Sequence, residues 1–287
     1  MSTTPPQPEP GIYPGVAFDD YRRWDAMHQS TAKAGYLPGR VLSMRRLKAA
    51  VDGLLGHKDT TALKDGTDLH AVLLEPERFA AEYQTLPEFK GTGSVKAKAE
   101  FLASHPGVVF VKPDKLVMLK AMRASVMTHP VVAMFREAGG CEVSVCGEIM
   151  GVRTAARLDK YLPDWFDGPV VLDIKSVRAG WITEDQFGKH AFELGYDIQA
   201  DWYERTVESV TGTRPMMLFV VCEKEPPYDV VVHQLHPQAR KIGANSVNSL
   251  LGQYKHCLTT GVWPGYSDQV VETNLPNWFI KQRRHEL

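Results

Sequence analysis

Apolar and polar residues alternate along three stretches in the middle of the chain, and that period predicts strands. Cys141 to Gly147 alternates through Val143 and Val145, Gly151 to Tyr161 forms the next strand, and Val170 to Ser176 forms a third after a turn rich in Pro and Asp. The third strand opens on an apolar run, Val170-Val171-Leu172, and then carries Asp173-Ile174-Lys175. Such a run marks a buried strand, where charged groups are costly unless they are paired or bind a metal. The two-residue period sets Asp173 and Lys175 on one face and Ile174 on the other, and an acid on the neighbouring strand, Asp159, could lie beside Asp173. Two carboxylates and a lysine on one patch suit a divalent cation and an activated water; a surface hairpin with solvated charges is the other reading.

Elsewhere the period is helical. Phe18 to Lys33 brings Phe18, Tyr21, Trp24, Met27 and His28 together and predicts a helix docked by an aromatic face. Ser43 precedes MRRLKAAVDGLLG, the pattern of a capped amphipathic helix, whose Arg45, Arg46 and Lys48 form either a solvated face or a phosphate contact. Asp59 to Tyr83 is the next helical region, with Leu63, Leu69, Val72 and Leu73 as its apolar face and Pro76 interrupting it. His70 within it is a hydrogen-bonded structural histidine or a ligand. Lys90 to Lys98 predicts a mobile basic loop, in which Lys96 and Lys98 follow a phosphate backbone or are merely solvated. Pro113 to Phe135 is a Met- and Ala-rich helical stretch for core packing. A long helix is expected from Thr183 to Val210, with Tyr196, Gln199 and Tyr203 on one side, preceded by a loop containing Arg178. Two more strands, Pro215 to Glu223 and Tyr228 to Leu235, a helix from Pro237 to Tyr254, and a docked tail ending on Lys281, Arg283 and Arg284 complete the pattern. Glu142 and Glu148 on the first hairpin are solvated strand charges or metal auxiliaries.

Composition narrows this picture. The chain has 287 residues, 44% hydrophobic and 23% charged, enough for one large domain or two small ones. A net charge of −1 requires any nucleic-acid surface to be a local basic patch. No apolar stretch approaches a membrane span, and the start lacks the basic-then-apolar order of a secretory signal, so no membrane partner is expected. Five prolines in the first fourteen residues predict a disordered or extended lead-in over residues 1–15, with 16–287 as a single domain. Cys141, Cys146, Cys222 and Cys257 form no C-x-x-C pair, which argues against zinc or iron–sulfur ligation and fits free thiols in a reducing cytoplasm.

Helix, three strands, long helix, two strands is the order of the PD-(D/E)XK nuclease core, an α/β fold with a central mixed β-sheet flanked by helices. Several segments carry the match further: Asp68-Leu69-His70 with Leu74-Glu75-Pro76-Glu77-Arg78-Phe79; Arg157-Leu158-Asp159; Leu172-Asp173-Ile174-Lys175-Ser176; Tyr196-Asp197-Ile198-Gln199 continuing to Tyr203; and Glu223-Lys224-Glu225-Pro226-Pro227-Tyr228. In their order and spacing, the chain resembles the exonuclease VIII (RecE-like) exodeoxyribonucleases of phages and prophages over roughly residues 12 to 280.

The resemblance implies roles. His70, Asp159, Asp173 and the Ile174 carbonyl would bind Mg²⁺ or Mn²⁺, with Glu142 as a further ligand; Lys175 would orient the attacking water and offset charge on the phosphate. Gln199 and Tyr203 match a Q-x-x-x-Y helix motif of RecB-like nucleases that supports the site and contacts DNA. Arg45, Arg46, Lys96, Lys98 and Arg178 are the candidate DNA contacts. The implied activity is a metal-dependent 5′→3′ double-strand DNA exonuclease that leaves 3′ single-stranded tails for an annealing recombinase, built as a homo-oligomeric ring in a bacterial or phage-infected cytoplasm. Larger family members carry an additional N-terminal region, so this chain would be a stand-alone nuclease domain. Two rivals remain: a RecB-like repair nuclease or endonuclease, and a non-catalytic DNA-binding protein that kept the fold.

Overall fold

The computed structural model describes residues 7–56, 60–135, 138–165 and 167–283. The chain enters through β1 (Gly11–Tyr13), α1 (Phe18–Arg22), β2 (Met27–His28), α2 (Gln29–Ala34), β3 (Tyr36–Leu37), β4 (Val41–Leu42) and α3 (Met44–Val51). Then come α4 (Thr61–Leu74), α5 (Pro76–Glu82), β5 (Tyr83–Thr85), α6 (Ser94–Ala103), β6 (Val109–Val111), α7 (Pro113–Thr128) and α8 (Pro130–Phe135). The central hairpins and crossover are β7 (Gly140–Ile149), β8 (Val152–Leu162), β9 (Val170–Val177), α9 (Glu184–Leu194), α10 (Tyr196–Thr211) and β10 (Met216–Glu223). The chain closes with β11 (Val230–His233), α11 (Pro237–Thr260) and α12 (Asn277–Gln282).

The main sheet runs β1-β7-β8-β9-β10-β11, with β2 added against β8. It is mixed: β7, β8 and β9 are antiparallel, β9 and β10 are parallel over eight residue pairs, and β10 and β11 are antiparallel. The parallel pair requires a crossover, and α9 and α10 supply it. The ladder between β8 and β9 is short. Lys160, Tyr161 and Leu162 pair with Leu172, Val171 and Val170, and pairing ends there. Further down β8, β2 pairs instead at Thr154 and Ala155. The two central strands therefore part at Asp159 and Asp173.

Both faces of the sheet are covered. On one, Val171, Val177, Phe219 and Val221 pack against Ile198, Trp202 and Val207 of α10 and Val247, Leu250 and Leu251 of α11. On the other, Val170, Leu172, Ile174, Leu218 and Val220 pack against Leu69 and Val72 of α4 and Leu119, Met122 and Val126 of α7. Alternation along β9 thus feeds two cores and puts Asp173 on the α10 side. Trp202 is fully buried and donates Nε1–H to the Ala155 carbonyl at 3.1 Å. At Gly243 a Cβ would come within 2.2 Å of the Asp197 carbonyl oxygen, so only glycine lets α11 approach α10 this closely.

Three expectations change. Phe18 to Lys33 is not one helix: β2 interrupts it, because its backbone fills the edge that β8 leaves open. The stretch expected as a basic loop is helical from Ser94, since Val-Lys-Ala-Lys-Ala-Glu consists largely of good helix formers. The helix expected over 183–210 breaks at Gly195, whose φ of +69° both ends α9 and starts α10. Of the lead-in, residues 1–6 lie outside the described residues, while Gly11–Tyr13 forms an edge strand on β7. Asp59 and Arg284 also lie outside the described residues. Among the described residues no helix is long and apolar enough to cross a membrane.

Candidate functional site

The gap between β8 and β9 gathers the acids. One step beyond the last β8–β9 pair, Asp159 stands opposite Asp173. On the other side, β7 pairs Cys141 with Lys160 and Val143 with Leu158 but skips the position between, where Glu142 stands opposite Asp159. Glu142 has φ +51°, in the left-handed region that a side-chain-bearing residue adopts at a cost. Three carboxylates therefore form one row across three strands.

Each is held by a different element. Asp159, 7% exposed, accepts the Ile174 N–H at 2.6 Å, a donor that a regular ladder would have used. Asp173, 2% exposed, accepts from the Gln199 side-chain amide of α10 at 2.5 Å, and the Lys175 ammonium lies 2.5 Å from its other oxygen. Glu142 accepts from Arg157 Nε at 2.6 Å; Arg157 also donates to the Val16 carbonyl and Ser144 Oγ. His70 arrives from α4 on the opposite face of the sheet. Its Nε2 lies 3.1 Å from the Ile174 carbonyl oxygen and 3.4 Å from Asp159 Oδ2, and its Nδ1 lies 4.0 Å from Glu142 Oε1. The Lys175 ammonium rests 4.8 Å from the centre of the Tyr196 ring.

The electrostatics follow from burial and crowding. Burial lifts the Asp159 carboxyl to about 7; His70 opposes the rise and Asp173 adds to it. Burial also opposes charge on His70, but Asp159, the Ile174 carbonyl and Asp173 outweigh it and hold the imidazole above its ordinary value. For Lys175, burial is likewise overcome, by Asp173 first, then Tyr196 and Asp159. The Tyr203 phenol is pushed well above its usual range by burial, with Tyr21, Asp173 and Asp159 adding to the effect.

These residues fit a hard divalent cation. Donor atoms of His70, Glu142 and Asp159 lie within 4.8 Å of one another. Two ligands of one ion at about 2.1–2.5 Å stand no more than about 4–5 Å apart. His70 lies near the Ile174 carbonyl and the Asp159 carboxyl, both of which suit such an ion. Asp173 stands beside this grouping, its oxygens turned to Lys175 and Gln199.

The structure thus brings together His70, Glu142, Asp159, Asp173, the Ile174 carbonyl, Lys175, Gln199 and Tyr203. The candidate DNA contacts lie on separate elements. Arg46 spends its Nε–H on the Ala34 carbonyl, Lys96 lies 3.8 Å from Glu100 on α6, Lys98 is exposed on the same helix, and Arg178 stacks on Trp181. Arg45 lies on α3, where its backbone N–H bonds the Pro264 carbonyl. Sequence reasoning missed Arg157 as the partner of Glu142, and Tyr196 as the ring beneath Lys175. Arg157 was within reach, since it shares the two-residue period with Asp159.

Over residues 40–274 the chain matches the model of a family described as a PDDEXK-like domain of unknown function. A protein of Eubacterium rectale, provisionally named an exonuclease, superposes with a TM-score of 0.59 at 15% identity, covering 90% of this chain and 92% of that one. At that identity the likeness concerns the fold, a mixed sheet flanked by helices. A second solved structure, SSO0001, reaches a TM-score of only 0.28 at 12% identity, over 70% of this chain and 81% of its own. No curated protein matches.

Proposed function

The chain belongs to this PDDEXK-like family, and on that footing we propose that it is a metal-dependent 5′→3′ exonuclease of double-stranded DNA, producing 3′ single-stranded tails. The observation that carries the nuclease reading is the convergence of His70, Glu142 and Asp159 beside the buried Asp173–Lys175 pair. Such an arrangement suits hydrolysis of a phosphodiester, in which water attacks phosphorus and one P–O bond breaks.

The residues divide the work. Lys175 presents a positive charge, steadied by Asp173 and the Tyr196 ring, to the phosphate as negative charge develops on it. Gln199 fixes the rotamer of Asp173, and the Ile174 N–H fixes Asp159. His70, Glu142, Asp159 and the Ile174 carbonyl would hold Mg²⁺, or Mn²⁺ in its place, with Asp173 beside them. When bound, the ion supplies charge neutralisation and a water of lowered pKa. The intact set of acids and lysine favours an enzyme over a DNA-binding protein that merely kept the fold.

Polarity, the tailed product, an annealing recombinase as partner, a ring of identical subunits around DNA and a cytoplasmic setting all rest on the resemblance to exonuclease VIII. The name of the E. rectale neighbour agrees with an exonuclease. The test is digestion of linear duplex labelled at one 5′ or 3′ end, beside closed circular duplex, with Mg²⁺ or with chelator. The expected result is magnesium-dependent loss of the 5′ label from linear DNA and an intact circle. Cleavage of the circle would replace this reading with an endonuclease, and no cleavage of either would overturn it.

A further inference from the structure

We propose that Lys33 is a second phosphate-holding lysine of this site, its ammonium binding the backbone of the same substrate strand that Lys175 engages. The inference rests on the nuclease reading for the identity of the substrate.

Three observations lead to it. The first is position. The aliphatic stem of Lys33, on α2, crosses the α9–α10 junction against Gly195: a Cβ there would lie 3.0 Å from Lys33 Cδ and 3.4 Å from its Cγ. The next residue, Tyr196, carries the Lys175 ammonium on its ring, and one turn further Gln199 holds Asp173. The order Lys33, Gly195, Tyr196, Lys175, Asp173 is thus one continuous path into the site.

The second observation is the lack of a partner. Among the described residues, the Lys33 ammonium has no hydrogen bond and no ion pair, although the residue is half-buried. The nearby cation Arg40 is already engaged by Asp197 and by the Phe192 carbonyl and ring. Lys175 is matched by Asp173. Lys33 brings to the site a positive charge with no ion-pair partner among the described residues.

The third is cost. Burial, then the nearby charge of Lys175, holds the Lys33 ammonium down at about 8, with Asp173 opposing and Arg40 adding. A half-buried amine facing a like charge is unfavourable in the free protein. An anion with several oxygens resolves the conflict by accepting from both lysines, and a phosphodiester is such an anion.

The experiment compares wild type with Lys33→Met, which keeps most of the stem, and Lys33→Arg, which keeps the charge. Two readouts are taken: binding of a short duplex with Ca²⁺ replacing Mg²⁺, and steady-state cleavage with Mg²⁺. For Lys33→Met, binding should weaken about tenfold and KM rise by a similar factor, as for one lost charged contact. The slope of log affinity against log salt should shrink by about 0.9. Lys33→Arg should recover most of the affinity, which a purely packing role would not produce. Unchanged affinity and salt slope in Lys33→Met overturn the proposal, as does equal loss in Met and Arg variants with a lowered melting temperature. Should wild type bind DNA through Lys33 yet never cleave it, the nuclease reading fails and the phosphate contact stands.

Discussion

Two clusters of buried charge lie along the same helix, α10, and they are built on opposite plans. Toward its C-terminal half, Asp201 and Glu204, each 2% exposed, face three arginines: Arg205 at 3.3 Å and Arg214 at 2.8 Å from Asp201, Arg214 and Arg240 at 2.8 and 3.0 Å from Glu204. Every carboxylate there has guanidinium partners. Near the N-terminal end, Gln199 looks onto Asp173, and Asp159 beside it relies on a backbone N–H and a histidine next to another acid. The first cluster is complete within the fold. In the second, Asp173 has Lys175 and Glu142 has Arg157, while the buried Asp159 has only a backbone N–H and a histidine. Burial of charge alone therefore does not mark a functional site; incomplete compensation does.

The largest expected effects fall on the unbalanced cluster. Asp173→Ala should reduce cleavage about a thousandfold or more while DNA binding persists, because phosphate contacts dominate affinity. Lys175→Ala should lose about a hundred- to a thousandfold with the fold intact. Wild-type rates in either variant would remove the assigned role.

Glu204→Gln should do the reverse. It leaves Arg214 and Arg240 short of a buried counter-charge, a loss of about 3 kcal/mol, seen as a fall of about 6 °C in melting temperature for a chain of this size. The rate per folded molecule should stay unchanged. A stable but inactive Glu204→Gln would erase the distinction between the clusters.

Asp159 sharpens the comparison through pH. Its folded-state pKa is raised to about 7 from 3.8, so the folded state binds more protons than the unfolded one between those values. Its contribution to stability is favourable at low pH and is lost as pH rises toward 7. Without divalent metal, Asp159→Asn should therefore melt about 3 °C or more above wild type at pH 8 and show no such gain at pH 4. Differential scanning calorimetry at the two pH values decides it; a variant less stable at pH 8 would show that Asp159 is compensated after all. The smallest effects belong to the scattered basic residues. Lys96→Ala with Lys98→Ala on α6, or Arg45→Ala on α3, should weaken DNA binding about threefold or less at moderate salt, measurable by fluorescence anisotropy.

The strands of the site were legible because their signal is local. An apolar run ending in Asp-Ile-Lys fixes face and burial without knowledge of the partner strands. The placement of Glu142 opposite Asp159 depends on register between strands, which a single sequence does not encode at one position. His70 had no distinguishing local pattern, and only the resemblance to exonuclease VIII singled it out. Gly195 was visible as a residue, but the apolar period continues across it, so the break between α9 and α10 was hidden. Lys33 ends a segment whose period predicts a single helix, which gives it no mark of its own. Its place depends on how α2 lies against α10, a tertiary packing event.

The most direct test of the account is Mn²⁺ binding followed by electron paramagnetic resonance in wild type, Asp159→Asn and Glu204→Gln. One or more ions should bind to wild type and to Glu204→Gln, and that binding should be lost in Asp159→Asn. Equal Mn²⁺ binding by Asp159→Asn and wild type would contradict it.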